Sequence, residues 1–169
     1  MANCYILVGL PASGKSTRVE QLLNMYPDAF VYSTDNYIED CAQLNGWTYN
    51  KAFSTFIKPA TKAMNEQLEI AIRANQTVIW DQTNLSKNKR SKIVDKMRQK
   101  GYRTQCECFL IPETVEDIAE WNNRLHSRPG KTIPDNIIAS MVKNYEIPST
   151  SEEFDGITFF NIRREVVHV

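Results

Sequence analysis

The fold of this chain is decided by residues 9–16, GLPASGKS, which match the pattern G-x-x-x-x-G-K-[ST]. The apolar run Cys4–Val8 before it is typical of a strand buried on both faces, and residues 16–25 after it have the spacing of an amphipathic helix. Glycines let such a loop turn its N–H groups inward, and the helix adds the positive end of its dipole. The stretch therefore predicts a phosphate-binding loop.

Within this loop, Lys15 is expected to reach the β- and γ-phosphates of ATP, and Ser16 to bind Mg²⁺. The alternative is a chance match in a glycine-rich turn, which the flanking strand and helix make the weaker interpretation. The residues predicted to bind the nucleotide are Gly9, Ala12, Ser13, Gly14, Lys15, Ser16 and Thr17.

Strands and helices alternate along the rest of the chain. Further strands are predicted at residues 29–33, 77–81, 104–111 and 157–162. Helices are predicted at about 35–46, through 53–74 with Pro59 as a start or kink, and at 87–101, 114–126 and 134–145. Strands separated by helices imply parallel βαβ units. We therefore expect one α/β domain over residues 1–169, with a mostly parallel five-stranded sheet and a helical lid at about 122–134.

The composition bears on the number of domains and on how the protein could contact nucleic acid. The 169 residues include 42% hydrophobic residues, which suits one compact domain, and 20 Lys and Arg balance 20 Asp and Glu. A net charge of zero excludes a globally basic surface, so any contact with nucleic acid would use local groups.

The four cysteines, Cys4, Cys41, Cys106 and Cys108, have no zinc-ligand spacing and are predicted to be reduced, buried thiols. No apolar run approaches the roughly 18 residues of a membrane span, and the N-terminal run lacks the basic segment of a signal peptide. We therefore expect a cytoplasmic protein without membrane contact.

Two acids follow predicted strands, at the sheet edge where ligands bind in such folds. Asp81 has the position of a Walker B acid that holds Mg²⁺, or else of a turn or cap residue. Asp35 is placed to accept the proton of an attacking hydroxyl, or else it caps a helix starting at Asn36. Glu39 and Asp40 are rival acids, but they fall inside the helix.

Three other groups of residues each have two interpretations. Arg124 and Arg128 precede the loop 129–133, as in a lid that closes over ATP, or they lie at a solvated helix end. The basic helix from Lys87 to Lys100 is a solvated face or, less readily, a phosphate contact. The aromatic residues Trp47, Tyr49, Phe53 and Phe56 belong to the core or, less readily, to an acceptor pocket.

Four blocks of sequence occur in a recognisable order: GLPASGKST from residue 9, TDNY at 34–37, DQTNL at 81–85, and Arg124-x-x-x-Arg128 followed by GKTIP at 130–134. Together, from about residue 4 to residue 145, they resemble the kinase domain of the bacteriophage polynucleotide kinase family. The resemblance implies a P-loop kinase-like three-layer α/β/α fold. It also implies transfer of the ATP γ-phosphate to the 5′-hydroxyl end of DNA or RNA, as in nucleic acid repair, in the host cytoplasm if the protein is phage-encoded.

By this resemblance, Asp35 is the general base, and Lys15 and Ser16 bind phosphate and Mg²⁺. Arg124 packs on ATP, and Arg128 contacts the transferring phosphate. The residues implied on the acceptor side are Gln82, Thr83, Asn84, Ile133 and Pro134.

The chain departs from the family pattern at three points. Ile38 stands where the phage enzyme has an arginine that contacts the acceptor's 3′-side phosphate. Gln82 stands where the family has Asp, and the acid comes one residue earlier as Asp81. The chain ends at Val169, where the bifunctional phage enzyme continues into a 3′-phosphatase domain, so phosphatase activity is not expected.

Two other functions are compatible with the motifs. One is a P-loop kinase of a small hydroxyl compound, such as a nucleoside or a metabolite. The other is a nucleotide-binding switch or ATPase without an acceptor, in which Asp35 only caps a helix.

Overall fold

A computed structural model of the chain describes residues 1–169. The strands are β1 (Asn3–Val8), β2 (Phe30–Tyr32), β3 (Val78–Trp80), β4 (Arg103–Phe109), β5 (Gly156–Phe160) and β6 (Val166–Val167). The helices are α1 (Lys15–Met25), α2 (Thr34–Asn45), α3 (Tyr49–Arg73), α4 (Lys87–Gln99), α5 (Val115–His126) and α6 (Asp135–Lys143), and a 3-10 turn covers Thr150–Glu152.

The six strands form one sheet in the order β2-β3-β1-β4-β5-β6, and every neighbouring pair except β5–β6 is parallel. This confirms the predicted α/β/α class and the mostly parallel sheet. The predicted count of five strands is wrong by one, because β6 pairs antiparallel with β5 at the edge. With two residues, β6 is too short to give an alternating pattern in the sequence.

Strand β1 is buried on both faces, as its apolar run predicts. Leu7 packs with Leu22 of α1 on one face, and Ile6 belongs to the larger core on the other face with Leu68 of α3 and Met97 of α4. Burying one such side chain fully contributes about 1.5–3 kcal/mol. The core therefore fixes the end of β1, from which the phosphate-binding loop departs.

Helix boundaries differ from the predictions where a cap or a proline is involved. Helix α2 begins at Thr34 because the Ser33 hydroxyl caps it by accepting from the Asn36 amide. Helix α3 begins at Tyr49 and runs through Pro59, which lies inside it and does not start it. Pro134 occupies the cap position before α6.

All four cysteines are free thiols, and Cys4, Cys106 and Cys108 are buried as predicted. Cys41 is partly exposed, which corrects the prediction for that residue, because it is not part of the buried cluster between α2 and α3. No helix combines the length and the apolar composition needed to cross a bilayer.

Candidate active site

A cavity of about 730 Å³ lies at the carboxyl ends of the central strands. It is bounded by the phosphate-binding loop, the start of α2 and the lid loop, which is the segment 127–134 between α5 and α6. Its size suits a nucleotide-sized ligand. The predicted site residues that line it are Ala12, Gly14, Lys15, Ser16, Thr17, Asp35, Asp81, Gln82, Thr83, Arg124, Arg128, Ile133 and Pro134.

The backbone of the phosphate-binding loop requires small residues. A Cβ atom on Gly9 would lie 2.7 Å from Ser13 Oγ and 2.9 Å from Phe109 Cβ. Gly14, with φ 113°, and Ala12, with φ 60°, are in left-handed conformations. The buried Ser13 hydroxyl has no hydrogen-bond partner in the protein, so a polar group at the base of this loop is left for a ligand or solvent to satisfy. These features fit a phosphate cradle. Gly9 and Ser13 belong to the loop but do not themselves line the cavity.

The Lys15 side chain lies back across the loop. Its Nζ donates to the carbonyl oxygens of Gly9 and Leu10, each at 2.8 Å. Burial lowers the pKa of Lys15 to about 8, although the carboxylates of Asp81 and Asp35 oppose this shift. The ammonium group is therefore held by neutral carbonyls rather than by a directly bonded acid.

Ser16 and Asp81 reach the cavity from the first turn of α1 and from the end of β3. Burial raises the pKa of Asp81, with the cation of Lys15 opposing and the charge of Asp35 adding to the rise. The structure has no cluster of three or more His, Cys, Asp or Glu side chains that would hold a metal permanently. One hydroxyl and one carboxylate suit Mg²⁺ that arrives with nucleotide phosphates and keeps several waters.

The Asp35 carboxylate is engaged at both oxygens. Oδ1 accepts from the Tyr49 hydroxyl, and Oδ2 accepts from Lys131 Nζ at 3.1 Å. Burial pushes the pKa of Asp35 upward, but Lys131, Tyr49 and Arg128 outweigh that effect, so the pKa lies below its usual value. Because Ser33 caps α2, the alternative of Asp35 as the helix cap is wrong.

Two charged cleft residues, Lys131 and Arg164, were not singled out as site residues by the sequence. Lys131, in the lid loop, also donates to Glu39 Oε1 at 2.9 Å, and its Nζ lies 4.2 Å from the centre of the Tyr49 ring. Arg164, from the turn between β5 and β6, lines the cavity beside Gly14. These residues come from separate elements, so no local spacing marks them as a group.

The two predicted lid arginines lie at the end of α5 and just beyond it. Arg124 donates from Nε to Glu120 at 2.8 Å and from Nη1 to the Ile162 carbonyl at 3.0 Å, so it is held against the body of the protein. Arg128 follows the last turn of the helix and lines the cavity. Both arginines are partly buried, which disfavours a purely solvated helix end.

The prediction that Asn84 faces an acceptor is corrected by its burial. Its side chain is inaccessible, and Nδ2 donates to the Leu7 carbonyl at 2.7 Å, joining the end of β3 to β1. Gln82 and Thr83 do line the cavity; Gln82 donates to Thr34 Oγ1, and the Thr83 carbonyl accepts from the Gly9 amide at 3.0 Å. The amide of Asn84 therefore supports the phosphate-binding loop.

The basic helix α4 contributes no residue to the cavity. Its Arg90 is fully buried and bonds both carboxylate oxygens of Glu152 at 2.7 Å, while Lys96 and Lys100 pair with Glu69. These contacts disfavour a phosphate-binding role for α4.

The aromatic residues predicted mainly for the core divide between two places. Trp47 and Phe56 pack where α2 meets α3. Tyr49 packs against the same cluster and also lines the cavity, and Phe53 lines the cavity. By their spacing, Tyr49, Phe53 and Phe56 share one face of α3, so neither composition nor helix periodicity separates core from cleft here.

Three solved structures have a similar fold. One, from the PezAT chromosomal toxin–antitoxin system of Streptococcus pneumoniae, has a TM-score of 0.67 and 15% identity, over 99% of this chain and 70% of that chain. Kti12 of Chaetomium thermophilum, in complex with ADP-AlF3, has a TM-score of 0.62 and 17% identity, over 94% and 88%. A fungal RNA kinase has a TM-score of 0.53 and 16% identity, over 96% and 76%.

These likenesses, at low identity, establish the P-loop kinase-like fold. The sequence model of a family described as an AAA domain matches residues 5–148, which is most of the chain. The chain therefore belongs to this AAA domain family.

Proposed function

We propose that the protein is an ATP- and Mg²⁺-dependent kinase that phosphorylates the 5′-hydroxyl end of DNA or RNA. The observation that carries the proposal is that the carboxylate of Asp35 opens into the same cavity as Lys15 and Arg128. A base for a hydroxyl and cations for a phosphoryl group are the parts that phosphoryl transfer requires.

In the proposed step, the 5′-hydroxyl oxygen forms a bond to the γ-phosphorus as the bond between that phosphorus and the β,γ-bridging oxygen breaks. The hydroxyl proton passes to Asp35, and ADP leaves with the bridging oxygen. Lys15 and Arg128 stabilise the negative charge of the phosphoryl group in transfer. Mg²⁺, held by Ser16 and Asp81, would supply charge neutralisation on the phosphates.

The acceptor side of the cleft supports a nucleoside end. Phe53 is 43% exposed there, with its ring tilted against that of Tyr49 at 6.0 Å. Ile133 and Pro134 line the same cavity from the lid loop. An exposed aromatic face beside aliphatic residues suits stacking of a base.

A second candidate is a kinase of a small hydroxyl compound without a phosphate beside the reacting group. Ile38 is fully buried between α2 and α3, so its position offers no cation to an acceptor phosphate. The Glu39 carboxylate also lies beside Asp35 on Lys131, which disfavours a nearby phosphate. This candidate is the main alternative outcome of the assay below.

The proposal is tested with γ-labelled ATP offered together with a 5′-hydroxyl oligonucleotide, a 5′-hydroxyl mononucleotide or no acceptor. Label on the oligonucleotide supports a polynucleotide kinase. Label confined to small acceptors supports the second candidate, and release of free phosphate alone indicates an ATPase or switch.

The role of Asp35 is tested by Asp35→Ala, which should reduce kcat by about 10²- to 10⁴-fold while ATP binding, measured by calorimetry, is kept. The matched control is Asp40→Ala, at an exposed position of the same helix outside the cavity. Transfer by Asp35→Ala at the parent rate would refute the base assignment.

A further inference from the structure

Lys131 is buried to an extent that is unusual for a lysine. The residue is only 8% exposed, and its Nζ contacts Asp35 Oδ2 at 3.1 Å, Glu39 Oε1 at 2.9 Å and the face of the Tyr49 ring. Burying an ammonium group costs several kcal/mol unless it is paired. Two carboxylates and an aromatic face offset that cost here, so the lysine is held at one place in the fold.

The backbone on both sides of Lys131 is tied to the first turn of α3. The Tyr49 amide donates to the Gly130 carbonyl at 3.2 Å, and Asn50 Nδ2 donates to the Thr132 carbonyl at 2.7 Å. The lid loop is thus docked on α3 by its backbone and on α2 by the lysine side chain.

The docked lid loop links Arg128 and Asp35, the two residues to which the proposed reaction gives roles in transfer. Arg128 is in the same turn as Lys131, whose amide donates to the Arg128 carbonyl at 3.4 Å. At the other end, Lys131 and Tyr49 each occupy one oxygen of Asp35. A carboxylate oxygen accepts two hydrogen bonds, so each oxygen keeps a lone pair for a substrate hydroxyl.

We propose that Lys131 is a positioning residue that fixes the Asp35 carboxylate and, through the lid loop, places Arg128 over the cleft. This inference rests on the proposed function, because it assigns Asp35 and Arg128 their roles in transfer. Binding of an acceptor phosphate by Lys131 is disfavoured, since two carboxylates already match its charge.

The first test uses hydrogen exchange in the protein without substrates. Lys131→Met should accelerate exchange of the Tyr49 amide, the donor to Gly130, by about tenfold or more. Lys143→Met, at an exposed lysine of α6, is the matched control and should leave exchange unchanged. Asn50→Ala removes only the bond to Thr132 and should give a smaller acceleration, so the docking is tested even if Lys131→Met fails to fold.

The second test separates kcat from KM in the oligonucleotide assay. Lys131→Met should lower kcat by about 10- to 100-fold while KM for ATP stays within about threefold, since placement matters most in the transition state. Lys131→Arg keeps the charge and should recover much of kcat.

Exchange and kcat equal to those of Lys143→Met would overturn the inference. A raised KM for the oligonucleotide at an unchanged kcat would also overturn it, because it would identify a phosphate contact. If the parent protein phosphorylates no oligonucleotide, the proposed function fails, and the exchange data still decide whether Lys131 docks the lid loop.

Discussion

The two ends of the cleft are built in different ways. At the nucleotide end, one continuous run, residues 9–17, provides the glycines, the lysine and the helix start. At the acceptor end, side chains from α2, α3 and the lid loop meet around Asp35. One end is a property of a local backbone, and the other exists only when distant segments pack together.

The two ends also differ in how their cations are balanced. Lys15 donates to two neutral carbonyls, so its charge is free to meet an anion. Lys131 is neutralised by two carboxylates. Under the proposed function, this difference suits the nucleotide end to phosphate and the acceptor end to a neutral hydroxyl beside a charged base.

The largest effect is expected at the nucleotide end. Lys15→Met should lower kcat/KM for transfer by about 10³-fold or more and weaken ATP binding as well, because the cation meets the phosphates before and during transfer. Calorimetry with ATP and the labelled transfer assay measure the two effects, with Lys92→Met on the exposed face of α4 as the control. Undiminished ATP binding by Lys15→Met would show that this lysine does not contact the nucleotide.

The buried side chain of Asn84 joins the end of β3 to β1, next to the phosphate-binding loop. Asn84→Ala should lower the free energy of unfolding by about 1–3 kcal/mol, because the Leu7 carbonyl loses a buried donor. Its backbone φ of 48° adds strain for alanine. Urea denaturation measures the loss, and Asn88→Ala on α4 is the exposed control. A raised KM for the acceptor without a loss of stability would show that Asn84 contacts the acceptor and does not support the fold.

A smaller effect is expected from pH. Lys15, with a pKa of about 8, loses its proton as pH rises, so the dissociation constant of ATP should increase about tenfold between pH 7 and pH 9. Asp35, whose pKa is lowered, stays ionised over this range, so the acceptor end should not respond.

Calorimetric titrations at several pH values test this difference, and Lys15→Arg, which keeps its charge, should bind ATP with little pH dependence. An affinity that stays flat for the parent would contradict the lowered pKa of Lys15.

The sequence predicted the parts of the site whose chemistry is local. The phosphate-binding loop is recognisable because its conformation needs glycine at particular positions, and Asp35 and Asp81 are recognisable because they follow strands. The misplacement of Asn84 has a physical cause, since burial depends on which strand packs beside it. Lys131 and Arg164 give no local signal, because a lysine or arginine in a loop is ordinarily solvated.

The sequence by itself determined the alternation of strands and helices, the phosphate-binding loop and the edge of the sheet where ligands bind. These features follow from side-chain periodicity and from backbone conformations that few residues adopt. The tertiary structure alone decided that Lys131 and Tyr49 hold Asp35, that Ile38 is buried and that Asn84 supports β1. Those outcomes depend on distances between residues far apart in the chain, which packing of the core sets and local pattern does not encode.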